Sequence, residues 1–249
     1  MKTFARWLGL LLVALLALQF YFVARIAFMA ASPPQSTTFQ RSEAWRLSQD
    51  KTGLHWHQQW VPYAQISDTL KRAVIASEDD SFTSHDGVDW EALEKAWDKN
   101  NKAEQKAANQ KPNPRATPGK TTAPKPPKIV GGSTITQQLA KNLFLSGERT
   151  LVRKGQELVL TMLLEHLLSK QRILEIYLNS VEWGEGVFGA EAAAQHYFHK
   201  PAAQLSTIES ARLAVMLPRP RYFEKLPNSG YLASRAQVIA TRMGDAQLP

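Results

Sequence analysis

A mainly α-helical domain behind a single N-terminal transmembrane helix is the fold this sequence predicts. Three observations carry that reading. Residues 7–24 are apolar except for Gln19. Apolar residues in the rest of the chain recur at helical spacing behind Ser or Asp caps. Alternating strand runs are scarce, enough for one short hairpin.

The apolar run comes first. A helix of that length covers about 27 Å, close to the roughly 30 Å hydrocarbon core of a bilayer. Continuing past Arg25, whose stem can snorkel, to Met29 reaches full thickness. Lys2 and Arg6 precede it, so the positive-inside bias puts the start in the cytoplasm and the body of the chain outside. The rival is a cleaved leader, whose apolar core normally runs to about 7–15 residues. This core is longer, and Arg25 separates it from the weak site at Ala27 and Ala31. The segment therefore reads as an uncleaved, single-pass anchor over residues 1–30.

Residues 31–54, opening Ser32-Pro33-Pro34, read as a stalk. The domain is expected over residues 55–249, entered through Trp56, Trp60 and Tyr63. Ser67 is the expected cap of a helix through Leu70, Val74 and Ile75. Asp89 is the expected cap of one through Leu93 and Trp97. Residues 100–127 hold six prolines and no aromatic, Val, Ile, Leu or Met, so a disordered basic insertion is expected there. Ser133 should cap a helix through Ile135, Leu139 and Leu143. Residues 151–179 look like one long helix, apolar on most sides. Ser206 and Glu209 form a capping box before residues 211–217, and Pro218 and Pro220 stop that helix.

Composition narrows the chemistry. The chain has 249 residues, no cysteine and a formal net charge of +8. Disulfide frameworks, thiolate metal sites and cysteine nucleophiles are excluded. The positive charge is not spread evenly. Residues 1–30 carry Lys2, Arg6 and Arg25 and no acid, and residues 99–128 carry eight bases against Glu104 alone. The remainder is slightly acidic, so the basicity belongs to the anchor and the insertion. The insertion has no aromatic side chains for stacking on bases, which argues against a nucleic-acid partner. A lipid-headgroup arm is the sharper alternative to a plain solvated insertion.

Three polar segments interrupt the helical pattern. In Ser77-Glu78-Asp79-Asp80-Ser81-Phe82-Thr83-Ser84-His85-Asp86-Gly87, a continuing helix would align Glu78, Phe82 and His85. A partly desolvated carboxylate beside a ring has a raised pKa, which suits proton transfer. The alternative is a helix end with solvated acids, closed by Gly87. The second segment, Gly131-Gly132-Ser133-Thr134-Ile135-Thr136-Gln137-Gln138, leads to Lys141 and Asn142. It offers free N–H groups at a helix start and side chains that suit sugar and phosphate; the alternative is a capped amphipathic helix. The third gathers Arg149, Arg153, Lys154 and Glu157, which is either a cation cluster in a cleft or a helix salt bridge. Glu165 and Arg172 are expected to pair with each other. Overlapping SxxK and KTG patterns share Lys51 and are dismissed as chance, since that chemistry needs separate elements.

Taken in order, these segments resemble the glycosyltransferase domain of peptidoglycan synthases, glycosyltransferase family 51. The family's E-D-x-x-F-x-x-H-x-G pattern is met by Glu78, Asp79, Phe82, His85 and Gly87. Its G-x-S-T-I-T-Q-Q pattern and following lysine are met by Gly131, Ser133 to Gln138 and Lys141. Its R-K-x-x-E pattern is met by Arg153, Lys154 and Glu157. Its I-L-E-x-Y-L-N pattern is met by Ile173, Leu174, Glu175, Tyr177, Leu178 and Asn179. The basic insertion departs from the family in length and composition.

The resemblance implies a lysozyme-like fold with a small flexible lobe over the cleft. It implies an inner-membrane enzyme with its catalytic domain in the periplasm. The implied substrates are lipid II and the growing glycan strand. Glu78 would be the general base. Lys141, Arg149, Arg153 and Lys154, with Mg²⁺, would stabilise the leaving pyrophosphate. Glu157 would be the second catalytic carboxylate, holding that metal or orienting the cations. Asp79, Phe82, Ser133, Thr134, Gln137 and Gln138 complete the implied substrate-binding set. Partners in cell-wall synthesis or division are a further implication. The length leaves no room for the transpeptidase domain of bifunctional members, so none is expected. The rivals are a lytic transglycosylase, which needs an acid but no cation cluster, and a non-catalytic cell-wall scaffold.

Overall fold

The computed structural model describes residues 2–50, 55–108, 132–148 and 150–249. Eleven α-helices and one small sheet are found among them. The prediction of a mainly α protein with one apolar N-terminal helix holds. Helix α1 (Lys2–Met29) is the one described helix long and apolar enough to cross a membrane. Its far end is built into the domain. Phe22, Ile26 and Met29 are buried in the common core, and the Met29 carbonyl accepts from Arg172 Nε at 2.8 Å.

The expected stalk is instead helix α2 (Thr38–Ser48). Thr37 and Gln40 form a reciprocal capping box that starts it. Thr38 Oγ1 donates to the Leu143 carbonyl at 2.9 Å, and Gln40 Nε2 to the Ser180 carbonyl at 3.3 Å. With Leu47 also buried, α2 is part of the domain wall.

Helix α3 (Asp68–Glu78) starts at Ser67, whose side chain accepts from the Leu70 N–H as expected. Its buried face packs on α9 (Thr207–Met216) and α11 (Gly230–Arg242). Asp89 Oδ1 accepts from the Ala92 N–H at 2.7 Å and starts α4 (Trp90–Ala108). This helix overruns the start of the expected loop at residue 100. Ala, Lys, Glu and Gln dominate residues 102–108, and the first proline comes only at Pro112. The rest of the expected insertion lies outside the described residues.

Residues 151–179 form two helices, not one. Helix α6 (Leu151–Leu167) ends before Ser169, whose side chain accepts from the Arg172 N–H and starts α7 (Lys170–Ser180). A new cap outcompetes continuity of the apolar pattern. The burial expected of the whole stretch falls mainly on α7. Leu151, Val152 and Met162 on α6 stay exposed. Glu165 pairs with Lys170 at 2.9 Å and Arg172 with Glu175 at 2.8 Å, so the expected Glu165–Arg172 pair is replaced by nearer partners.

The expected hairpin is β2 (Glu182–Gly184) with β3 (Val187–Phe188), antiparallel. A third strand, β1 (His57–Gln58), adds in parallel to β3. Gly186, at φ +73°, turns the hairpin, and a Cβ there would lie 2.0 Å from the His55 carbonyl oxygen. Helix α8 (Ala190–Phe198) follows, and the Ser206–Glu209 box starts α9 as read from sequence. Helix α9 ends at Met216 ahead of the prolines, and Pro220 opens the short α10 (Pro220–Glu224). Trp183 is fully buried and donates from Nε1 to the Leu213 carbonyl at 3.1 Å, tying the sheet to α9.

Candidate active site

Glu78 is the last residue of α3, and the helix stops there. Phe82 and His85 therefore lie on the following turn, not on a common helical face with Glu78. Burial raises the Glu78 carboxyl above its ordinary value, and neighbouring Asp79 adds to this. Gln138 Nε2 opposes it, donating to Glu78 Oε2 at 3.0 Å. Gln138 sits on α5 (Ile135–Phe144), and Tyr177 of α7 donates from its hydroxyl to Gln138 Oε1 at 2.9 Å. That contact orients the amide so that its N–H points at the carboxylate. Tyr177 is fully buried, and burial with the nearby Glu78 and Asp79 charges holds its phenol far above its usual pKa. It is therefore a neutral donor. The tyrosine was visible in the fourth motif, but spacing gave it no task.

Asp79 does other work. Its Oδ2 accepts from the Ile135 N–H at 2.9 Å and its Oδ1 contacts His85 Nε2 at 2.8 Å. Both oxygens are spent on holding the start of α5 against the turn after α3. Phe82 is 0% exposed, so it packs the core beneath the site and cannot touch substrate. Thr134 is buried and is the true cap of α5, in a box with Gln137. Its hydroxyl also donates to the Gly87 carbonyl at 2.6 Å. Gly87 has φ +87°, and a Cβ there would meet Thr161 Cγ2 at 2.7 Å. These contacts give Asp79 and Thr134 structural partners on the wall of the groove they share with Glu78, while Phe82 lies sealed beneath it. Ser133, expected as the cap, is freed and exposed at the cleft.

The third motif lies on the first turns of α6. Glu157 is buried, its Oε2 accepting from Arg153 Nη1 at 2.9 Å and its Oε1 in a short contact with Lys154 Nζ. Arg153 Nε is sealed from solvent without a hydrogen-bond partner among the described residues. With Lys141, Gln137 and Ser133 these residues line one cleft of about 560 Å³. Desolvation holds the Lys141 ammonium below its ordinary value against the pull of Glu157, and Arg153 and Lys154 lower it further. Ser133 lines both this cleft and a second groove that contains Glu78, so the carboxylate and the cations face neighbouring spaces that share a wall. Arg149 lies outside the described residues. A protein-held divalent ion does not fit Glu157: both oxygens are engaged by cations, and no cluster of three metal-ligating side chains occurs among the described residues.

A buried carboxylate of raised pKa near a cleft lined by Lys141, Arg153 and Lys154 can in chemical terms take a proton from a hydroxyl and offset charge on a departing anion. Comparison with known proteins gives the family. The chain belongs to the transglycosylase family, which it matches over residues 46–109 and 119–244. It is 53% identical over 249 residues to a protein of Burkholderia thailandensis called a biosynthetic peptidoglycan transglycosylase, covering 98% of this chain and 89% of that one. A protein of the same name from Paraburkholderia xenovorans is 50% identical over 248 residues, covering 98% and 94%. One from Burkholderia orbicola is 52% identical over 236 residues, covering 95% and 87%.

Proposed function

We propose that this protein is a peptidoglycan glycosyltransferase that polymerises lipid II into β-1,4-linked glycan strands. The observation that carries the reading is the pairing of Glu78 with the cation-lined cleft. Glu78 takes the proton of the acceptor's GlcNAc 4-hydroxyl. That oxygen forms a bond to C1 of the donor MurNAc as the C1–oxygen bond to undecaprenyl pyrophosphate breaks, with inversion. The departing pyrophosphate gathers negative charge, which Lys141, Arg153 and Lys154 offset. Arg149 joins them on sequence grounds. Glu157 keeps Arg153 and Lys154 fixed in place. Gln138 orients Glu78, while Ser133 and Gln137 face the sugars. A divalent cation is expected to assist, and no step here depends on one.

Helix α1 serves as a membrane anchor that keeps the domain in the bilayer holding its lipid-linked substrate. The positive-inside bias of Lys2 and Arg6 supports a domain that works on the periplasmic face of the inner membrane. Incubating the purified protein with lipid II and Mg²⁺ tests the reading. Glycan strands and free undecaprenyl pyrophosphate are expected. Release of soluble fragments from finished peptidoglycan, without strand synthesis, would establish a lytic enzyme instead.

A further inference from the structure

One buried carboxylate in the cleft wall has no part in this chemistry. Glu182 of β2 is 7% exposed and lines the same cleft as Lys141 and Glu157. Its Oε1 accepts from Arg221 Nε at 2.8 Å and meets Arg221 Nη2 at 2.7 Å. Its Oε2 has no hydrogen-bond partner among the described residues, and it is not one of the atoms sealed from solvent. A carboxylate oxygen is thus left to accept from something in the cleft.

Arg221 on α10 does not stop at Glu182. Its Nη2 also meets Glu43 Oε2 at 2.6 Å, Glu43 holds Arg46 Nε at 2.8 Å, and Arg46 Nη2 reaches Glu185 Oε1 at 2.7 Å. This chain of alternating charges ties α2 to α10 and to the β2–β3 turn. Together with the bonds from Thr38 and Gln40 it fixes Phe39, which also lines the cleft. Pro218 and Pro220 lie on the same lining.

The chemistry of this wall differs from that of the cations. A carboxylate repels phosphate but accepts well from hydroxyl and amide donors. Phe39 lines the same cleft with its ring edge-on to Phe188 at 6.1 Å, and an aromatic ring can offer an apolar face to the C–H side of a sugar ring. We propose that Glu182 and Phe39 form a saccharide subsite, with the Glu182–Arg221–Glu43 chain holding α2 so that Phe39 meets the sugar. The proposal rests on the polymerase reading and adds to it a binding residue from outside the glycosyltransferase motifs, on the helix that follows the anchor.

Steady-state kinetics of the full-length protein with lipid II test it, with thermal midpoints measured in parallel. Glu182→Gln replaces a carboxyl acceptor with an amide and should raise KM about tenfold, with kcat within about twofold of wild type. Phe39→Ala should raise KM severalfold, and Phe39→Trp should restore it. Arg221→Lys should retain more affinity than Arg221→Met. Unchanged KM in both Glu182→Gln and Phe39→Ala, or defects confined to kcat, overturn the subsite. If Glu182→Gln fails to fold, the contrast between Phe39→Ala and Phe39→Trp decides. A wild-type protein that makes no strands overturns the polymerase reading, and the subsite with it.

Discussion

Gln138 Nε2 donates to Glu78 Oε2 at 3.0 Å, with Gln138 itself aimed by the Tyr177 hydroxyl. A bond to the ionised form of a carboxylate lowers its pKa, whereas burial raises it, and here burial is the larger cause. The base is thus set above the ordinary carboxylate range but below where burial alone would put it. The general-base form is the deprotonated one. Activity should therefore fall as pH drops through this raised value, with its acid limb above that of an exposed glutamate. Gln138→Leu should move the limb further up, as rate–pH profiles of the two proteins would show.

Tyr177→Phe should leave the core filled, since only an oxygen is lost. Without that hydroxyl, the Gln138 amide can present either end to Glu78. A fall in kcat of about tenfold is expected, the scale of one hydrogen bond. KM should change little, and the thermal midpoint should show whether any fold defect contributes.

Asp79→Asn and Phe82→Ala should act on stability and not on substrate affinity. Asp79→Asn weakens a bond to the α5 backbone and the contact with His85, costing about 1–3 kcal/mol. Phe82→Ala empties a fully buried site, costing about 3–5 kcal/mol. Denaturant unfolding measures both losses. A large rise in KM for Asp79→Asn with unchanged stability would return Asp79 to the substrate-binding set.

Glu157→Gln tests whether that residue fixes the cations. It removes the charge that Arg153 and Lys154 share in a buried position, leaving two like charges close together. Turnover should fall about 100-fold or more, the usual loss when charge stabilisation of a transition state is disturbed. Added divalent cation should not restore it, because Glu157 has no oxygen free for a metal in this arrangement. Recovery of turnover in a Mg²⁺ titration would contradict this assignment.

Much of the site could be read along the chain because its chemistry is packed into short motifs. Glu78, Lys141, Arg153, Lys154 and Glu157 all emerged from local patterns. Sequence spacing could not separate residues that line the cleft from those that brace it. Asp79 and Phe82 flank the base in the chain, yet one is spent on the α5 N-terminus and the other is sealed in the core. The helix over residues 38–48 had a signal in Thr37 and Gln40, overshadowed by the preceding Ser-Pro-Pro. The break at Ser169 was hidden because apolar residues continue on both sides. Glu182 and Phe39 could not be joined from sequence at all, since they meet the cleft from elements far apart in the chain.

The account stands on Glu78 as the base, and one measurement tests it most directly. Initial rates of strand synthesis from lipid II should be compared for the wild-type protein and Glu78→Gln, with both confirmed folded. The glutamine keeps the shape and the contact to Gln138 but cannot take a proton. A drop of about 10²-fold or more is the predicted result. Strand synthesis at the wild-type rate in Glu78→Gln would contradict it.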